Sequence, residues 1–325
     1  MQRWTDLADV PADHGRSVVA IGNFDGVHRG HRSVLGAVVQ QAAEREAAAV
    51  AVTFEPHPLR VLHPERAPEL LTGTEHRLDL LAGTGLDAVL VMPFTRELAG
   101  WSPERFVREA LVDALHVTAV VVGRDIRFGH RNAGDLATMQ ELGGQYGFEV
   151  LVAEDELGDA GSGRRWSSTW ARELLAAGDV AAAAEVLGRP HRVSGEVVHG
   201  DHRGRELGYP TANLGPDAQG LVPADGVYAG WLVRLDLPDE DAPDRVLPAA
   251  VSIGTNPTFD GTSRRVEAYV LDRDDLDLYG ETVALELVQR LRETVRFDDV
   301  DSLVAQMRAD VEQARRLLTR VVAAG

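Results

Sequence analysis

The sequence predicts two domains of different fold class: an α/β domain with a doubly wound parallel sheet, followed by a small antiparallel β-barrel with a terminal α-helix. In the first half, apolar runs without polar alternation are separated by helical segments, which is typical of parallel strands buried on both faces. In the second half, strand-like runs follow one another with turn residues between them and no helix, which favours a closed antiparallel sheet. The length of 325 residues also suits two domains.

Five valine-rich runs are the predicted strands of the first half, and they cover residues 17–22, 49–54, 88–94, 119–123 and 148–153. Residues 31–48 predict a helix after the first strand because apolar side chains recur there at helical spacing, namely Val34, Leu35, Val38, Val39 and Ala42. Ser102 and Pro103 are typical of the N-cap and the first residue of a later helix. This β-α-β-α-β order predicts a parallel sheet with helices on both faces.

The second half is predicted to follow a helical connection. Residues 167–188 read as two short helices, and Gly188-Arg189-Pro190 then interrupts the pattern, so we expect domains over 1–188 and 189–325. Five strand-like runs follow, at 194–198, 226–235, 247–253, 266–271 and 282–291. A final helix over 300–323 is expected to cover an end or flank of the barrel with its apolar side, which carries Leu303, Met307, Val311, Leu317 and Leu318.

Composition narrows the class of protein. With 44% hydrophobic and 26% charged residues, the chain resembles folded globular proteins, and the lack of cysteine excludes disulfides, thiolate nucleophiles and cysteine-bound zinc. The net charge of −18 argues against binding nucleic acid through a broad basic face, whereas a small phosphorylated substrate needs few cations. The sequence has no signal-peptide core and no run of about 18 apolar residues, so we expect a cytoplasmic protein without a membrane span. It does not indicate an oligomeric state.

The connection between the first predicted strand and the first predicted helix combines three glycines with His28 and His31. Parallel α/β sheets bind ligands at the carboxyl ends of their strands, near a reversal of strand order. Here the helix amides form an anion site, the histidines add directional donors for charge growing on a phosphate, and Gly30 allows close approach. Alternatively, the histidines merely satisfy local backbone groups. The sequence contains no P-loop, no G-x-G-x-x-G after a strand and no G-x-S-x-G.

Residues 22–31, GNFDGVHRGH, resemble the signature of nucleotidyltransferases that move an adenylyl group from ATP. The lead-in Gly-Asn-Phe-Asp-Gly is similar to that of the prokaryotic bifunctional FAD synthetases, which join a riboflavin kinase to an FMN adenylyltransferase. The resemblance implies that domain 1–188 is the nucleotidyltransferase domain and that His28 and His31 are catalytic. It also implies an ATP pocket that includes Gly22, Asn23, Phe24 and Gly30.

Two further segments resemble the flavin side of that family. Residues 53–58, TFEPHP, are similar to its T-F-x-P-H-P, and residues 121–129, VVGRDIRFG, are similar to a loop that follows a strand. The family usually has phenylalanine where Ile126 stands. The resemblance implies that flavin is bound by His57, Pro58, Asp125 and Phe128. By residue type, His57 could also be read as a metal ligand together with His63, but the absence of cysteines and of a tight helical spacing disfavours that reading.

Residues 165–169, RWSST, resemble the family's R-x-S-S-T segment, which holds ATP phosphates. A cation followed by hydroxyl groups at a helix start favours phosphate binding. The resemblance implies that Arg165, Ser168 and Thr169 bind ATP. Without it, Ser167-Ser168-Thr169 reads as an ordinary helix N-cap.

A second candidate site lies in residues 195–214, GEVVHGDHRGRELGYPTANL. Its glycines let a loop lie close over phosphates, with backbone amides directed at them. Thr211 and Asn213 are at alternating positions, so an extended chain presents both oxygens on one face. Such neutral oxygens suit a Mg²⁺ ion that also binds nucleotide phosphates. Read alone, Pro-Thr-Ala-Asn is a strand start after a turn.

The longer string G-x-x-x-G-R-x-L-G-Y-P-T-A-N-L closely resembles the riboflavin kinase signature, and the likeness extends over 252–259, 265–269, 277–280 and 291–297. It implies that Thr211 and Asn213 hold the metal, that Arg292 binds flavin, and that ATP is bound by Gly204, Arg205, Gly208 and Pro210. Glu267 would accept the proton of the riboflavin 5′-hydroxyl as it attacks the γ-phosphate. Otherwise Glu267 is a solvent-facing strand residue. The family often has histidine where Tyr269 stands.

The resemblance covers nearly the whole chain with two independent sets of motifs. We therefore expect ATP-dependent synthesis of FAD from riboflavin by way of FMN, with Mg²⁺ in both sites. Three alternatives stay open: nucleotidyl transfer to another phosphate, a flavin-binding sensor without activity, and a nucleic-acid-binding protein. The kinase-like domain disfavours the first, and the acidic charge disfavours the third. The second is disfavoured because the chain retains His28, His31, Thr211, Asn213 and Glu267.

Overall fold

The structure is a computed structural model that describes residues 1–153, 163–200, 207–239, 241–258 and 261–324. The chain forms two compact units. The first comprises Met1–Glu69 and Gly73–Ser167, and the second comprises Leu70–Thr72 and Ser168–Gly325. The two short helices predicted over 167–188 therefore belong to the second unit. The boundary between catalytic domains at 188/189 stays a prediction.

Within the described residues, the first unit contains a six-stranded sheet whose neighbouring strands all run parallel. The strands are β1 (Gln2–Trp4), β2 (Ser17–Ile21), β3 (Ala48–Glu55), β4 (Ala88–Pro93), β5 (Val117–Val122) and β6 (Glu149–Val152). Their order is β1-β4-β3-β2-β5-β6, so the chain moves outward from β2 to β4 and then returns to the other side of β2. The loop after β2 lies at this reversal, which is where open α/β sheets bind ligands.

Helices connect these strands. They are α1 (Arg29–Glu44), α2 (Pro58–Leu62), α3 (Thr74–Ala82), α4 (Pro103–Phe106, continued by a π-helix over Val107–Ala114) and α5 (Leu136–Tyr146). The predicted cap at Ser102 is present, because its Oγ accepts a hydrogen bond from the backbone N–H of Arg105 at 3.1 Å.

Buried side chains form a hydrophobic cluster on each face of the sheet. Val18 of β2 packs in the cluster that contains Leu35 of α1. The next residue, Val19, packs in the opposite cluster, which contains Phe106 and Met139. Each fully buried side chain of this size contributes about 1.5–3 kcal/mol relative to an exposed one. Burial of both faces explains why the strands read as continuous apolar runs.

The described strands of the second unit close into an antiparallel barrel in the order β10-β11-β8-β7-β12-β9. They are β7 (His191–Val198), β8 (Ala212–Leu214), β9 (Gly226–Arg234), β10 (Val246–Thr258), β11 (Gly261–Val270) and β12 (Thr282–Arg292). Helices α6 (Ser168–Ala176) and α7 (Val180–Leu187) precede the barrel, and α8 (Val300–Ala324) follows it.

The terminal helix α8 packs on the barrel wall formed by β9, β10 and β12. Ala314 and Leu318 of this helix are buried in one cluster with Ala229 and Leu271. The prediction of a parallel α/β fold followed by a barrel with a covering helix is thus confirmed. No helix in the described part of the chain is long and apolar enough to cross a membrane.

Candidate active sites

The loop between β2 and α1 adopts a backbone that glycine favours, even at two residues that are not glycine. Phe24 has φ 48°, Gly26 has φ 80° and Val27 has φ 38°. The side chains of Phe24 and Val27 are buried in the same hydrophobic cluster, so core packing holds the turn in this conformation. The turn delivers the chain to the N-terminus of α1, at the carboxyl end of β2.

His28 and His31 come together at that N-terminus. His28 is the N-cap of α1, and its Nδ1 accepts a hydrogen bond from the backbone N–H of His31 at 3.2 Å. The two rings are stacked with centroids 3.6 Å apart, and Phe24 meets His31 edge-on at 5.3 Å. Because Nδ1 of His28 is an acceptor, the proton of a neutral His28 lies on Nε2.

His31 is held in its neutral form. Its burial lowers the pKa of the imidazole well below the ordinary value of 6.5, and repulsion from His28 and Arg165 acts in the same direction. Its Nδ1 is buried and has no hydrogen-bond partner within the described ranges. A buried polar atom of this kind suits a site that a ligand completes.

Gly30 permits the close packing of this corner. A Cβ at residue 30 would lie 3.2 Å from the carbonyl oxygen of Trp166 and 3.3 Å from Nδ1 of His28. The space at Gly22 is also too small for a larger residue, because a Cβ there would lie 3.1 Å from the ring of Phe24. Gly30 therefore lies against His28, and Gly22 lies against Phe24, whose ring contacts His31.

Asn23 and His57 meet across the ends of β2 and β3, where the Asn23 amide group lies 3.2 Å from Nε2 of His57. Nδ1 of His57 caps α2 by accepting from the backbone N–H of Leu59 at 3.2 Å, and Pro58 begins the helix. The atom of Asn23 that makes this contact is Nδ2. His57 therefore links the loop after β2 to the start of α2.

Arg165 and Asp125, predicted for the ATP and flavin sides, form an ion pair. Nη2 of Arg165 lies 3.0 and 3.3 Å from the two carboxylate oxygens. The side chains are 44% and 67% exposed, so the pair contributes about 0–1 kcal/mol and does not prevent Arg165 from binding a phosphate. Phe128 packs in the core against Phe106, with ring centroids 6.2 Å apart, and its contact with flavin stays a prediction.

The RWSST segment spans the boundary between the two units. Arg165 lies in the first unit, which ends at Ser167, whereas Ser168 and Thr169 begin α6 in the second unit. Ser168 is partly buried and Thr169 is exposed. Their predicted contact with ATP phosphates stays a prediction.

Sequence reasoning missed a buried polar group that contacts the loop leading to His28 and His31. Arg77 of α3 is 1% exposed and donates to the carboxylate of Glu55 at 2.8 Å. It also donates to the backbone carbonyl of Asn23 at 3.3 Å. A charged residue in a helical pattern reads as solvent-exposed, so no sequence signal distinguished it. Asp25, inside the GNFDG string, is also buried, at 2% exposure.

In the second unit, a cavity at the barrel wall brings three predicted residues together: Pro210, Thr211 and Asn213. Gly200 and Tyr279 also line it, together with apolar side chains of β7, β8 and β11. The segment after β11 contributes Arg273, Asp274, Leu276 and Leu278 to the wall. Tyr279 lies against His199, with ring centroids 4.0 Å apart. The cavity therefore combines hard oxygen ligands with surfaces suited to a planar ligand.

Thr211 and Asn213 lie side by side, as the alternation predicted. Nδ2 of Asn213 donates to the backbone carbonyl of Thr211 at 3.3 Å and approaches its Oγ1 at 3.4 Å. The NH₂ side of the Asn213 amide therefore faces Thr211, and Oδ1 is on the side away from Thr211. Asn213 is directly opposite Glu267 in the pairing of β8 with β11. Residues opposite each other on antiparallel strands project to the same side, so Glu267 shares a face with Asn213.

The described residues contain no cluster of three or more histidine, aspartate or glutamate side chains that could hold a metal ion. A Mg²⁺ ion in the barrel would take the neutral oxygens of Thr211 and Asn213 together with phosphate oxygens and water. This donor set fits a hard cation that keeps several waters and binds a nucleotide.

The other residues predicted for the kinase site lie in different surroundings, and two of them are not described by the structure. Gly208 is exposed with φ 83° and has open space around its Cα, and Gly204 and Arg205 lie outside the described residues. Arg292 pairs with Asp310 of α8: Nε donates to both carboxylate oxygens at 3.0 Å, and Nη2 donates to one at 2.7 Å. The aromatic contact of Tyr269 is Tyr209, at a centroid distance of 5.2 Å.

Two family models match the chain in succession. The model described as FAD synthetase matches residues 10–169, and the model described as riboflavin kinase matches residues 187–318. A relative from Escherichia coli (strain K12), named bifunctional riboflavin kinase/FMN adenylyltransferase, is 38% identical over 298 residues, which cover 92% of this chain and 91% of the relative. This chain belongs to the bifunctional riboflavin kinase/FMN adenylyltransferase family.

Other relatives cover the chain more fully. A bifunctional riboflavin kinase/FMN adenylyltransferase from Pseudomonas fluorescens is 37% identical over 98% of each chain. A solved structure described as a macrolide-efflux protein from Streptococcus pneumoniae is 30% identical, with a TM-score of 0.84 over 96% of this chain and 98% of its own. That description applies to the pneumococcal protein, and the similarity shows that the two chains share their fold over almost their full lengths.

Family membership confirms the two activities predicted from the sequence. The riboflavin kinase activity converts riboflavin to FMN, and the FMN adenylyltransferase activity converts FMN to FAD. Riboflavin, FMN and ATP are substrates, and FMN and FAD are products.

Proposed function

We propose that FMN is adenylylated at the loop after β2 in the first unit and that riboflavin is phosphorylated beside β8 in the second. The observation that carries this assignment is that each unit holds its own cluster of phosphate-suited groups. The first has the stacked His28 and His31 at the N-terminus of α1, with centroids 3.6 Å apart. The second has Asn213 opposite Glu267 in strand register.

In the first reaction, an oxygen of the FMN phosphate attacks the α-phosphorus of ATP, the bond to the β-phosphate breaks, and pyrophosphate leaves. Negative charge grows on the α-phosphate and on the leaving group. The amides of α1, Nε2–H of His28 and neutral His31 stabilise this charge by hydrogen bonds. The lowered pKa of His31 supports this role, because a neutral imidazole donates without adding a buried charge.

The other predicted residues surround these reacting groups. Arg165 exchanges Asp125 for an ATP phosphate, which the exposure of that ion pair supports. Further ATP contacts come from Gly22, Asn23, Phe24, Gly30, Ser168 and Thr169. The flavin side is formed by His57, Pro58, Asp125 and Phe128.

In the second reaction, the 5′-hydroxyl of riboflavin attacks the γ-phosphorus of ATP, ADP leaves, and Glu267 accepts the hydroxyl proton. Thr211 and Asn213 would hold Mg²⁺, which neutralises phosphate charge there when bound. A loop over the phosphates contributes Gly204, Arg205, Gly208 and Pro210, and Arg292 contacts flavin. We place the kinase domain over 189–325 and the transferase domain over 1–188, and we propose that both act in the cytoplasm, where ATP is supplied.

A pair of variants tests the assignment. His28→Ala should lower FMN adenylylation by about 10²–10³-fold and leave riboflavin phosphorylation intact, because it removes one donor to the transition state. Glu267→Ala should lower riboflavin phosphorylation by about 10²–10⁴-fold while supplied FMN is still adenylylated. Chromatographic separation of riboflavin, FMN and FAD measures both rates in one sample.

Matched controls come from the same units. His63→Ala removes an exposed histidine, 54% exposed as a side chain, and should leave both rates unchanged. Glu196→Gln changes an exposed strand glutamate of the barrel and should do the same. Loss of both activities in either His28→Ala or Glu267→Ala would contradict two separate sites. Normal phosphorylation in Glu267→Ala would remove the base assignment.

A further inference from the structure

Arg77 of α3 is a charged side chain that the proposed mechanism does not use. It contacts the loop between β2 and α1, and only 1% of its surface is exposed. It is among the largest fully buried side chains in the described part of the chain. Removing a guanidinium from water is unfavourable unless hydrogen bonds and an opposite charge replace the water. Its acceptors therefore identify what the buried charge stabilises.

The acceptors of Arg77 lie at the carboxyl ends of two neighbouring strands. Nη1 donates to the carbonyl oxygen of Asn23, after β2, at 3.3 Å. Nη2 donates to the carbonyl oxygen of Phe54 at 3.4 Å and to Oε2 of Glu55 at 2.8 Å, both at the end of β3. One planar guanidinium thus ties the first residues of the β2–α1 loop to the adjacent strand end.

Two threonines reinforce the same attachment. Oγ1 of Thr53 donates to the carbonyl oxygen of Asn23 at 3.2 Å, so this oxygen accepts from both Thr53 and Arg77. Oγ1 of Thr74 donates to Oε2 of Glu55 at 2.9 Å. A carbonyl with two donors has both lone pairs engaged, which fixes the orientation of the peptide group after Asn23.

That peptide group begins the strained part of the loop. Phe24 and Val27 have φ values of 48° and 38°, a region that residues with a Cβ disfavour. Such a backbone persists where the surroundings hold it, and the fixed Asn23 peptide is one of the holding points. His28 follows Val27 directly, so a change in the peptide at Asn23 is passed along the loop to the N-cap of α1.

We propose that Arg77 is a positioning residue for adenylyl transfer. Its guanidinium fixes the Asn23 peptide and thereby the placement of His28 and His31 against the reacting phosphate. Lysine does not replace it, because a single ammonium group lacks the planar fork that reaches two carbonyls and a carboxylate together. The inference rests on the proposed function of the histidine pair.

Two substitutions and one matched control test the proposal in the full-length chain. Arg77→Met keeps apolar volume without donors, and Arg77→Lys keeps a charge opposite Glu55. The control is Leu81→Ala, four residues further along α3, which is 0% exposed and contacts the core beside the sheet. It destabilises the same unit by leaving a cavity and touches none of the three acceptors.

The rates of FMN adenylylation and riboflavin phosphorylation are measured for each variant below all unfolding midpoints. Both Arg77 variants should lower kcat of adenylylation by about 10–100-fold, as a misplacement near 1 Å does, with KM for ATP and FMN little changed. Riboflavin phosphorylation should stay at the wild-type rate in each. Leu81→Ala should keep adenylylation within about 3-fold of wild type, because the reacting groups stay in place.

A wild-type kcat in Arg77→Lys would overturn the proposal. So would a loss in Leu81→Ala as large as that in the Arg77 variants, because the effect would then follow stability alone. Should Arg77→Met fail to fold, Arg77→Lys decides by itself. His28→Ala in the same assay separates the two claims: if it adenylylates FMN normally, the proposed function fails whatever the Arg77 variants do.

Discussion

Substitution of Gly200 by alanine displaces the proposed metal ligand Asn213 without changing the Asn213 side chain itself. A Cβ built on Gly200 lies 2.7 Å from Cγ, Nδ2 and Oδ1 of Asn213, whereas ordinary contacts begin at 3.4 Å. In Gly200→Ala, the Asn213 amide must therefore move by about 0.7 Å or more. It moves by side-chain rotation, so the variant should fold with nearly unchanged stability.

The expected cost falls on riboflavin phosphorylation. Because a misplacement near 1 Å costs about 10²-fold in rate, we expect Gly200→Ala to lower kcat/KM for riboflavin phosphorylation by about 10–100-fold, or about 1.4–2.7 kcal/mol. The Mg²⁺ concentration for half-maximal activity should rise, because Asn213 is a proposed ligand. FMN adenylylation in the same samples should match wild type, since that reaction is assigned to the other unit. Both rates come from chromatography of the flavins over a Mg²⁺ titration.

Gly215→Ala is the matched control. It crowds the same side of the barrel, with its Cβ 3.3 Å from Cγ1 of Val198, but it displaces none of the proposed ligands. It should retain riboflavin phosphorylation. Wild-type phosphorylation and an unchanged Mg²⁺ requirement in Gly200→Ala would refute the assignment of Asn213 to the metal.

Two predictions concern stability. Asp310→Asn leaves the Arg292 guanidinium without its carboxylate and should lower the free energy of unfolding by about 2 kcal/mol. This is less than the roughly 3–5 kcal/mol for breaking a fully buried pair, because the Arg292 side chain is 22% exposed. An unchanged midpoint of urea unfolding would contradict this prediction. The lowered pKa of His31 means that the unfolded chain binds a proton there below about pH 6.5 while the folded chain does not, so stability is complete above that pH and falls as the pH drops. Urea unfolding between about pH 7.5 and 5.5 should therefore show a steeper decline for wild type than for His31→Asn, and equal slopes would exclude His31 as the cause.

The sequence predicted the strands and helices whose burial is uniform. The valine-rich runs became β2 to β6 because both faces of each strand meet a hydrophobic cluster. By contrast, β1 (Gln2–Trp4) was not predicted, since a three-residue edge strand carries no periodicity. β10 continues to Thr258, and β11 begins at Gly261. Both strands therefore run through a stretch whose glycine, asparagine and proline residues read as a turn in the sequence.

The candidate sites were predictable where motifs carried them and not where burial decided. The string around His28 places two histidines at a helix start, and the alternation of Thr211 and Asn213 places two oxygens together. Arg77 and Asp310 gave no such signal, because a charged residue in an amphipathic helix usually faces solvent. Their roles depend on acceptors or donors that are remote in sequence: Asn23 and Glu55 for Arg77, and Arg292 for Asp310.

A mixing experiment tests most directly whether one chain carries two separate sites. His28→Ala and Glu267→Ala are each incubated with riboflavin, ATP and Mg²⁺, alone and together. Each variant alone should form FAD at least about 10²-fold more slowly than wild type, because the first accumulates FMN and the second leaves most of the riboflavin unphosphorylated. Together they should produce FAD, since FMN made by one variant is the substrate of the other. A mixture that forms FMN but little FAD, or either variant forming FAD alone at a rate near that of wild type, would contradict the two-site assignment.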